Sequence, residues 1–369
     1  MKDRHPLDRA WRRFKAGARV RLAMLRLRAS LDGPLVIGFW INRSEVLAAA
    51  AVRPTARFVR FGFLSRHHCW SDDEVRELLE TVARMTAEDE PTVIVWGIRD
   101  RTHGQDLDEW FPVVVRMESG LLPGPPGGRL KTAFMEDRAG IYFDGRRPSD
   151  CERALQALLA GYAERSPTAR AVLDRVRHAR ITKYVPGADA AVRLEPGGLL
   201  ILGQVNRDQA VTETLTVAKT NFDLVVWMRE TRPVEGVDRY YYKPHPLNRR
   251  DNDDEVARLL ELYPDLEIVA PGVNVHRLFE QRPRVATMTS GAGLEAALHG
   301  CEVFTFGISF YSNFGFTVDH FDCPRRTNRL SAEDVAACMW LDRTVYVDPG
   351  TRLTVPAGEN PALFEPACR

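Results

Sequence analysis

The 369-residue sequence lacks several features that mark large classes of protein. No apolar run reaches the roughly 18 residues of a membrane-spanning helix, and no short apolar segment near Met1 has the form of a signal peptide. The six cysteines are scattered without a CxxC pair, which argues against a zinc site or a disulfide framework. Neither GxGxxG nor a P-loop is present, which disfavours dinucleotide and ATP binding. We therefore expect a cytoplasmic protein with reduced thiols.

The composition is that of an ordinary globular protein, with 44% hydrophobic and 27% charged residues. Its length predicts two domains. A Pro- and Gly-rich stretch at 183–198 predicts the boundary between them. The expected organisation is a basic N-terminal helix (1–30), an N-terminal α/β acceptor-side domain (31–190), a C-terminal α/β nucleotide-sugar domain (191–350) and a tail (351–369).

The net charge of +1 conceals an asymmetry. Residues 1–30 hold ten Lys or Arg and two Asp, which leaves 41 basic and 48 acidic residues in the remainder. Within this segment Ala18, Leu22 and Leu25 continue an apolar stripe begun by Trp11 and Phe14, and arginines recur on another face. The pattern predicts a basic amphipathic helix, which either binds the anionic inner face of the membrane or packs on its own domain. We expect no nucleic-acid partner.

Apolar, β-branched runs alternate with helical patterns, which predicts parallel sheets covered by helices. The predicted strands are 34–40, 56–64, 92–97, 111–117, 199–205, 238–244, 266–271, 284–290 and 302–307. Helix starts are marked by capping boxes at Ser71 with Glu74 and at Ser149 with Glu152. The fold class is therefore α/β, with ligands expected at the carboxyl ends of the strands, in a cleft between two domains.

The stretch RYYYKPHP, residues 239–246, places a cation and an imidazole after a buried strand. Each proline disfavours helix at the residue before it, so Lys243 and His245 are predicted to be extended. Taken alone, the stretch is more typical of a proline-rich turn with a solvated lysine. A second segment, RVATMTSGAGLEAALHG (284–300), favours the ligand-binding interpretation of RYYYKPHP.

In that second segment an apolar strand runs into TSGAG and then into a helix that carries Glu295. Small residues at a helix start leave backbone amides open to an anion. Thr289, Ser290 and Gly291 therefore form a candidate phosphate site. A glycine-rich turn is also common in α/β proteins for packing reasons alone, so this signal is weak by itself.

Further polar residues follow predicted strands. Gln204 and Asp208 follow one strand, and Arg116 and Glu118 end another. Carboxylates in this position are candidates for acid, base or nucleophile chemistry, although a single charged residue more often caps a loop. The aromatic loop FGISFYSNFGFTVDH (306–320) is suited to packing on a sugar or base, although core packing is the commoner use of such residues.

Taken in order, these segments resemble the bacterial capsule polysaccharide synthesis family of retaining β-Kdo glycosyltransferases, which use CMP-Kdo (Kdo is 3-deoxy-D-manno-octulosonic acid) as donor. The family motifs are EDGFLRS, a DDRGIYYD-like hairpin with PSDLE, GQVEDDAS, YKPHP, TMTSLAGFEAL and GLPFYAGWGLTxD. The matching stretches here are ESGLLPG (118–124), EDRAGIYFDGRRPSDCE (136–152), GQVNRDQA (203–210), YKPHP (242–246), TMTSGAGLEAAL (287–298) and GISFYSNFGFTVD (307–319).

The resemblance implies a GT-B-like fold, with two Rossmann-type α/β domains facing across a cleft, and no metal or other cofactor. The C-terminal domain would bind the donor through Gln204 and the 289–291 turn. Lys243, His245 and Ser290 would lie near the CMP phosphate, and Glu295 near the ribose. Asp208 would be the nucleophile of a double displacement, and Glu118 the acid/base or an acceptor-orienting residue. Arg116 and Arg207 are candidates for the cation that binds the sugar's carboxylate.

The chain departs from the family on the acceptor side. ESGLLPG lacks the second acid and the arginine of EDGFLRS, and Ser309, Asn313 and Phe314 replace a proline, a glycine and a tryptophan of the aromatic loop. Three hypotheses stay open: a CMP-sugar transferase acting on a capsule or surface glycan or its lipid-linked base, a non-catalytic capsule assembly or export factor, and a UDP- or GDP-sugar transferase.

Overall fold

The computed structural model describes residues 17–27, 33–61, 71–102, 104–125, 131–183, 192–212, 214–231, 233–248 and 252–360. The chain divides into two compact units. The N-terminal unit comprises Met1–Gly120, Gly124–Arg138 and Val345–Val355. The C-terminal unit comprises Leu121–Pro123, Ala139–Thr344 and Pro356–Arg369.

Strands and helices alternate along most of the described chain. The strands are β1 Leu35–Phe39, β2 Arg57–Phe61, β3 Thr92–Trp96, β4 Val114–Ser119, β5 Ala133–Asp137, β6 Leu199–Leu202, β7 Tyr240–Lys243, β8 Glu267–Ile268, β9 Arg284–Thr287, β10 Val303–Thr305, β11 Val318–Asp319, β12 Thr344–Val347 and β13 Thr354–Val355. The helices are α1 17–27, α2 Arg43–Ala51, α3 Asp72–Met85, α4 Arg99–Thr102, α5 Asp150–Ala157, α6 Tyr162–Arg165, α7 Pro167–Ala179, α8 Gln209–Thr212, α9 Asn221–Glu230, α10 Asn252–Leu262, α11 Val275–Phe279, α12 Ala292–Leu298 and α13 Ala332–Ala337.

Each unit contains one sheet. The first sheet has the order β13-β12-β5-β4-β3-β1-β2, in which β2, β1, β3 and β4 run parallel and β5 is antiparallel to β4. The second has the order β11-β10-β9-β6-β7-β8, and its pairs are parallel. Parallel strands are buried on both faces, which explains the continuous apolar runs LVIGF and LLIL. All nine strands predicted from the sequence are present.

The three tyrosines before Lys243 build a central strand. Tyr240, Tyr241 and Tyr242 are buried in β7, which lies between β6 and β8. The hydroxyl of Tyr242 donates to the Glu255 carboxylate, and that of Tyr241 accepts from the Glu195 amide at 2.9 Å. The phenols of Tyr241 and Tyr242 are thereby hydrogen-bonded, as their desolvation requires.

The division into units differs from the boundary expected at residue 190, because α6 and α7 belong to the C-terminal unit. Helix α7 buries Ala169, Val172, Leu173 and Val176. The Asp334 carboxylate, at the start of α13, accepts from the amides of Gly161 and Ala163, each at 2.9 Å.

The Pro- and Gly-rich segment therefore joins two parts of one unit. Its residues 184–191 lie outside the described chain. Strand β12 returns to the first sheet, where the Val347 amide donates to the Thr132 carbonyl at 2.8 Å. This return assigns 345–355 to the N-terminal unit, whereas we expected residues up to 350 in the C-terminal domain and a tail beyond them.

Helix α1 is the described part of the predicted basic amphipathic helix; Trp11 and Phe14 lie outside the described residues. Ala23 and Leu27 are buried in the core of the N-terminal unit, and Val20 and Met24 pack against that core. The stripe predicted from the sequence faces outward, since Leu22 is 50% and Leu25 59% exposed. The helix therefore packs on its unit through one face and presents leucines and arginines on another. None of the described helices combines the length and the hydrophobicity needed to cross a bilayer.

Candidate functional site

The carboxyl ends of β6, β7, β9 and β10 bring together the segments predicted to bind the donor. These strands are neighbours in a parallel sheet, so the residues that follow them meet at one edge. The segments at this edge are 203–208, 243–246, 288–291 and 306–311. This convergence comes from the topology of the sheet, and it places four of the six family motifs side by side.

Gln204 joins the loop after β6 to the turn after β9. Its side-chain Oε1 accepts from the Thr289 amide at 2.7 Å, and its Nε2 donates to the Thr289 hydroxyl at 3.0 Å. That hydroxyl in turn donates to the Ala210 carbonyl at 2.8 Å. Both Gln204 and Thr289 are buried. These two residues, predicted to contact the donor, therefore fix two loops of the site relative to each other.

Two asparagines that we did not predict hold the same loop. The Asn221 side chain accepts from the Gln204 amide at 2.8 Å and donates to the Gln204 carbonyl at 2.9 Å. Asn248 also donates to that carbonyl, at 2.7 Å, and accepts from the Asn206 amide at 3.0 Å. Both are distant in sequence from Gln204, so no local pattern indicated the contacts.

Lys243 ends β7 and is 4% exposed. Its Nζ donates to the Pro271 carbonyl at 2.8 Å. Burial lowers the pKa of its ammonium to about 8, because a charged group loses hydration there without a carboxylate to compensate. An anionic ligand would supply the missing negative charge. The described structure therefore favours an anion-binding role over the solvated lysine that was the alternative.

His245 is neutral in this structure. The Leu247 amide donates to its Nδ1 at 3.2 Å, which leaves the proton on Nε2. Burial, and secondarily the nearby Lys243 and Lys183, lower the pKa of the imidazole to about 4. The Asn252 side chain donates a hydrogen bond to the His245 carbonyl at 3.0 Å. His245 can thus act as a neutral hydrogen-bond donor to a phosphate oxygen.

Asp208 lies at the start of helix α8. Its Oδ1 accepts from the Ala210 amide at 3.0 Å, and its carbonyl accepts from the amides of Val211 and Thr212. The carboxylate is half-buried at the carboxyl edge of the sheet. Arg207, the residue before it, is exposed and has a positive φ of 61°. Arg207 stays a candidate for the sugar-carboxylate contact.

In the turn between β9 and α12, two backbone amides already donate hydrogen bonds to side chains of the protein. The Thr289 amide donates to Gln204, and the Ser290 amide donates to the Thr287 hydroxyl at 3.3 Å. The Ser290 carbonyl accepts from the buried Tyr311 hydroxyl at 2.8 Å. A phosphate at this turn would therefore be bound by the Ser290 hydroxyl and the Gly291 amide rather than by all three predicted residues.

Glu295 is buried beneath the same turn, on α12. Its Oε2 accepts no hydrogen bond from the described residues and lies 3.5 Å from Nε2 of His276. Burial raises the pKa of Glu295 to about 8, opposed by the charge of Lys183. The carboxyl is accordingly neutral at pH 7 in this structure.

Two histidines pack below Glu295. His276 Nε2 donates to the Ile181 carbonyl at 2.9 Å, so its Nδ1 accepts from Nε2 of His299 at 2.8 Å. Burial is the main cause that lowers the pKa of His276 to about 4. A neutral His276 forms no ion pair with Glu295. Neither histidine was predicted as a site residue.

Glu118 and Arg116 belong to β4 of the N-terminal unit and differ in environment. Glu118 is half-buried near the carboxyl end of β4, where its Oε1 accepts from the Ser119 amide at 2.7 Å. Arg116 is 1% exposed and donates to Asp100 at 2.9 Å and Asp108 at 2.8 Å. This ion-pair network favours a structural role for Arg116 over the predicted sugar contact.

The aromatic loop is organised by Asp319. Its carboxylate accepts from the hydroxyls of Thr305 and Thr317 at 2.7 and 2.8 Å, and from the Asn313 amide at 2.8 Å. Asn313 has a φ of 66° at the position where the family has glycine, and asparagine tolerates that conformation better than other residues do. Tyr311 and Phe314 are buried, so core packing accounts for much of the loop.

Glu152 departs from the predicted capping box. Ser149 accepts from the Glu152 amide at 3.0 Å, as expected, whereas the Glu152 carboxylate binds two arginines. Arg325 donates to it at 2.8 Å and the buried Arg326 at 2.9 Å. Ion pairs with two guanidiniums outweigh a single bond to a backbone amide. At Ser71 both halves of the capping box are present.

Comparison with known proteins agrees with these motifs. Residues 188–346 match the profile of the family described as "Capsule polysaccharide biosynthesis protein". The chain is 28% identical over 236 residues to the lipopolysaccharide-processing protein LpsZ of Rhizobium meliloti, covering 61% of this chain and 52% of LpsZ. It is 26% identical over 290 residues to the capsule polysaccharide modification protein LipA of Neisseria meningitidis, covering 75% of this chain and 40% of LipA. The chain thus spans about half the length, or less, of these relatives.

Two solved structures from Thermosulfurimonas dismutans share the fold. The β-Kdo 2,7-transferase of KpsC has a TM-score of 0.66 and 24% identity, covering 89% of this chain and 97% of that one. The β-Kdo 2,4-transferase of KpsC has a TM-score of 0.65 and 22% identity, covering 88% and 96%. The α/β, GT-B-like fold class is confirmed. Residues 188–346 of this chain are similar to the capsule polysaccharide biosynthesis proteins, in agreement with the resemblance of its motifs.

Proposed function

We propose that the protein is a retaining glycosyltransferase that transfers Kdo, or a related acid sugar, from a CMP-activated donor to a capsule or surface glycan or its lipid-linked base. The observation that carries the proposal is the convergence of Lys243, His245, Ser290 and Asp208 at one edge of a parallel sheet. The shared fold with two Kdo transferases supports it.

The roles of the donor-binding residues follow from the negative charge that develops on the CMP phosphate. When the bond between the sugar's C2 and the phosphate oxygen breaks, CMP leaves with the electron pair and its phosphate gains negative charge. A buried lysine and a neutral histidine that can donate a hydrogen bond both favour that charge. The Ser290 hydroxyl and the Gly291 amide would contribute further donors. We expect these groups to suffice without a metal ion.

The sugar side requires a carboxylate. In the first step an Asp208 oxygen bonds to C2 as CMP departs, through an oxocarbenium-like transition state. In the second step an acceptor hydroxyl attacks C2, its proton passes to Glu118, and Asp208 is released. Two inversions at C2 give net retention. Glu295 would lie near the ribose, where a neutral carboxyl can both donate and accept hydrogen bonds.

A transfer assay tests the proposal. Purified protein is incubated with CMP-Kdo generated in situ and a Kdo-terminated alkyl acceptor, and the acceptor is analysed by mass spectrometry. We expect a mass gain of one Kdo residue. An acceptor of unchanged mass, together with unchanged CMP-Kdo, would contradict the transferase.

The non-catalytic alternative rests on the altered ESGLLPG motif, which lacks the acid and the arginine of the family pattern. A capsule assembly or export factor would bind CMP and leave CMP-Kdo intact. Calorimetric titration with CMP, UDP and GDP distinguishes a CMP-sugar transferase or a CMP-binding export factor from a UDP- or GDP-sugar transferase. We expect only CMP to bind at micromolar concentration.

We also propose that helix α1 binds the inner face of the cytoplasmic membrane. Leu22 and Leu25 are exposed beside Arg19, Arg21 and Arg26. Exposed leucines insert among lipid acyl chains, and each arginine near an anionic surface contributes about 1 kcal/mol. A lipid-linked acceptor would lie at that same surface.

A further inference from the structure

Lys131 lies at the edge of the first sheet where β3 and β4 end and β5 begins. The Gly97 amide, just after β3, donates to the Met117 carbonyl of β4 at 2.7 Å. The Gly120 amide, just after β4, donates to the Ala133 carbonyl at 3.0 Å. Because β5 is antiparallel to β4, its start lies beside the carboxyl end of β4. The topology thus places Lys131 at the edge that carries Glu118.

The Lys131 ammonium is held in place by two contacts. Its Nζ donates to the Ser119 hydroxyl at 3.2 Å and lies 5.0 Å from the centre of the Trp96 ring. Ser119 in turn donates its amide to Glu118 at 2.7 Å. The cation is therefore one residue away from the proposed acid/base and is connected to it through Ser119.

No carboxylate among the described residues pairs with Lys131. Neighbouring cations of the same unit are neutralised: Arg53 pairs with Glu136 at 2.6 Å, Arg99 with Glu45 at 3.3 Å and Arg116 with Asp100 at 2.9 Å. Lys131 is half-buried. Holding its long side chain in one conformation costs conformational entropy. A fixed, half-buried cation with a hydroxyl and an aromatic ring as partners is suited to an anionic ligand.

We propose that Lys131 is a specificity-determining residue that binds an anionic group, carboxylate or phosphate, of the acceptor. The proposal rests on the proposed function, since it assumes that the acceptor hydroxyl reaches Glu118. An acceptor hydroxyl near Glu118 would place the neighbouring groups of that sugar within reach of Lys131. The chain lacks the arginine of the family's EDGFLRS motif, and Lys131 supplies a cation to the same segment.

The test compares three alkyl glycoside acceptors with one donor, CMP-Kdo. The first is a β-Kdo glycoside with its carboxylate, the second is its neutral carboxamide, and the third is a neutral hexose linked to the alkyl chain through a phosphate. The measured quantity is kcat/KM for each. We expect the wild-type protein to prefer an anionic acceptor over the carboxamide by about 10-fold to 100-fold, the range of a charge-assisted hydrogen bond. Preference for the first or the third identifies carboxylate or phosphate as the group bound.

In Lys131→Met, the apolar stem over Trp96 is kept and the charge is removed. We expect the preference to fall to within about twofold of unity, mainly through a higher KM for the anionic acceptor, and Lys131→Arg to restore part of it. Arg84→Met, which removes an exposed charge from α3, should keep the wild-type preference. If Lys131→Met keeps the full preference for the anionic acceptor, or if the wild type uses all acceptors equally, the inference about Lys131 is wrong. The proposed function would not be affected by either result. A wild-type protein that neither transfers nor hydrolyses Kdo from CMP-Kdo would overturn the proposed function and the inference with it.

Discussion

Lys243 is a buried cation whose ionisation should be visible in ligand binding. Its pKa is lowered to about 8 by burial, so the ammonium loses its proton as pH rises through 8. If Lys243 binds the CMP phosphate, CMP affinity should be full at pH 7 and fall between pH 8 and 9.5. The phosphate's own second pKa, near 6, does not interfere in that range.

Calorimetric titration with CMP at pH 7, 8, 9 and 9.5 measures this effect. Lys243→Met should weaken binding at pH 7 by roughly 10-fold or more, as expected on loss of a charge-assisted hydrogen bond, and should remove the pH dependence. Arg258→Met, on the surface helix α10, is the control. A Lys243→Met variant that keeps both the affinity and the pH dependence would show that another group binds the phosphate.

Glu295 predicts a pH dependence of stability, because burial raises the pKa of its carboxyl. Its folded pKa of about 8 exceeds the usual value of 4.5, so its favourable contribution is complete below pH 4.5 and is lost as pH rises through 8. Glu295→Gln cannot ionise. Relative to this variant, the wild-type free energy of unfolding should fall progressively from pH 5 to pH 8, by a few kcal/mol at most.

Urea unfolding at pH 5, 6.5 and 8 measures that difference, with the exposed Glu261→Gln as control. A constant difference between wild type and Glu295→Gln across this range would mean that Glu295 is already ionised in the folded protein. That result would also weaken its proposed role as a neutral hydrogen-bond partner of the ribose.

At the scale of the element, the turn between β9 and α12 depends on Gly293. A Cβ at this position would collide with the Tyr311 hydroxyl and lie 2.8 Å from its Cζ and 3.2 Å from the Thr287 methyl. Tyr311 is fully buried and bonds to the Ser290 carbonyl, so it has little room to move. Gly293→Ala should destabilise the protein by about 1–3 kcal/mol, the usual cost of overpacking.

Urea unfolding at pH 7 checks this value. Gly272→Ala, whose added Cβ would meet no atom within 4 Å, should change stability by less than about 0.5 kcal/mol. In Gly293→Ala with Tyr311→Phe, part of the loss should be recovered because the nearest colliding atom is gone. Equal stabilities for the two alanine variants would contradict the packing described for this turn.

The sequence predicted elements better than their long-range partners. Apolar runs identified nine strands, because strands buried on both faces leave a continuous signal. Strand β5 was missed, since AFMED is short and half polar and runs antiparallel to β4. The exposed stripe of α1 was mistaken for its packing face, because Val20, Ala23, Met24 and Leu27 also recur at helical spacing. Only the tertiary structure distinguishes the two.

In the candidate site, too, the local elements could be predicted from the sequence and the long-range contacts could not. The sequence predicted that Asp208, Lys243 and Ser290 would each follow a strand of a parallel sheet, whereas the order of those strands, which makes them neighbours, comes from the structure. The supporting contacts of Asn221 and Asn248 with Gln204 span 17 and 44 residues, and no local pattern encodes them. The burial of Arg116 among aspartates could not be predicted either, because its partners Asp100 and Asp108 lie on α4 and on the segment after it.

At the scale of the whole molecule, the exposed face of α1 predicts membrane binding. Leu22→Glu with Leu25→Glu should abolish flotation with vesicles of phosphatidylethanolamine and phosphatidylglycerol. Leu353→Glu, a control with the same 59% exposure as Leu25, should float like the wild type. Wild-type flotation should decrease with salt and be absent with neutral phosphatidylcholine, since the arginines require anionic lipid. Equal flotation of all variants would contradict the proposal.

A covalent intermediate on Asp208 would be detected by mass spectrometry of the protein after incubation with CMP-Kdo in the absence of an acceptor. We expect a peptide containing Asp208 that is heavier by one Kdo residue, and we expect this adduct to disappear when the Kdo acceptor is added. Asp208→Asn keeps the hydrogen bond to the Ala210 amide while removing the nucleophile, so it should bind CMP, form no adduct and transfer at least about 10³-fold more slowly. Transfer by Asp208→Asn at the wild-type rate would show that Asp208 is not the nucleophile.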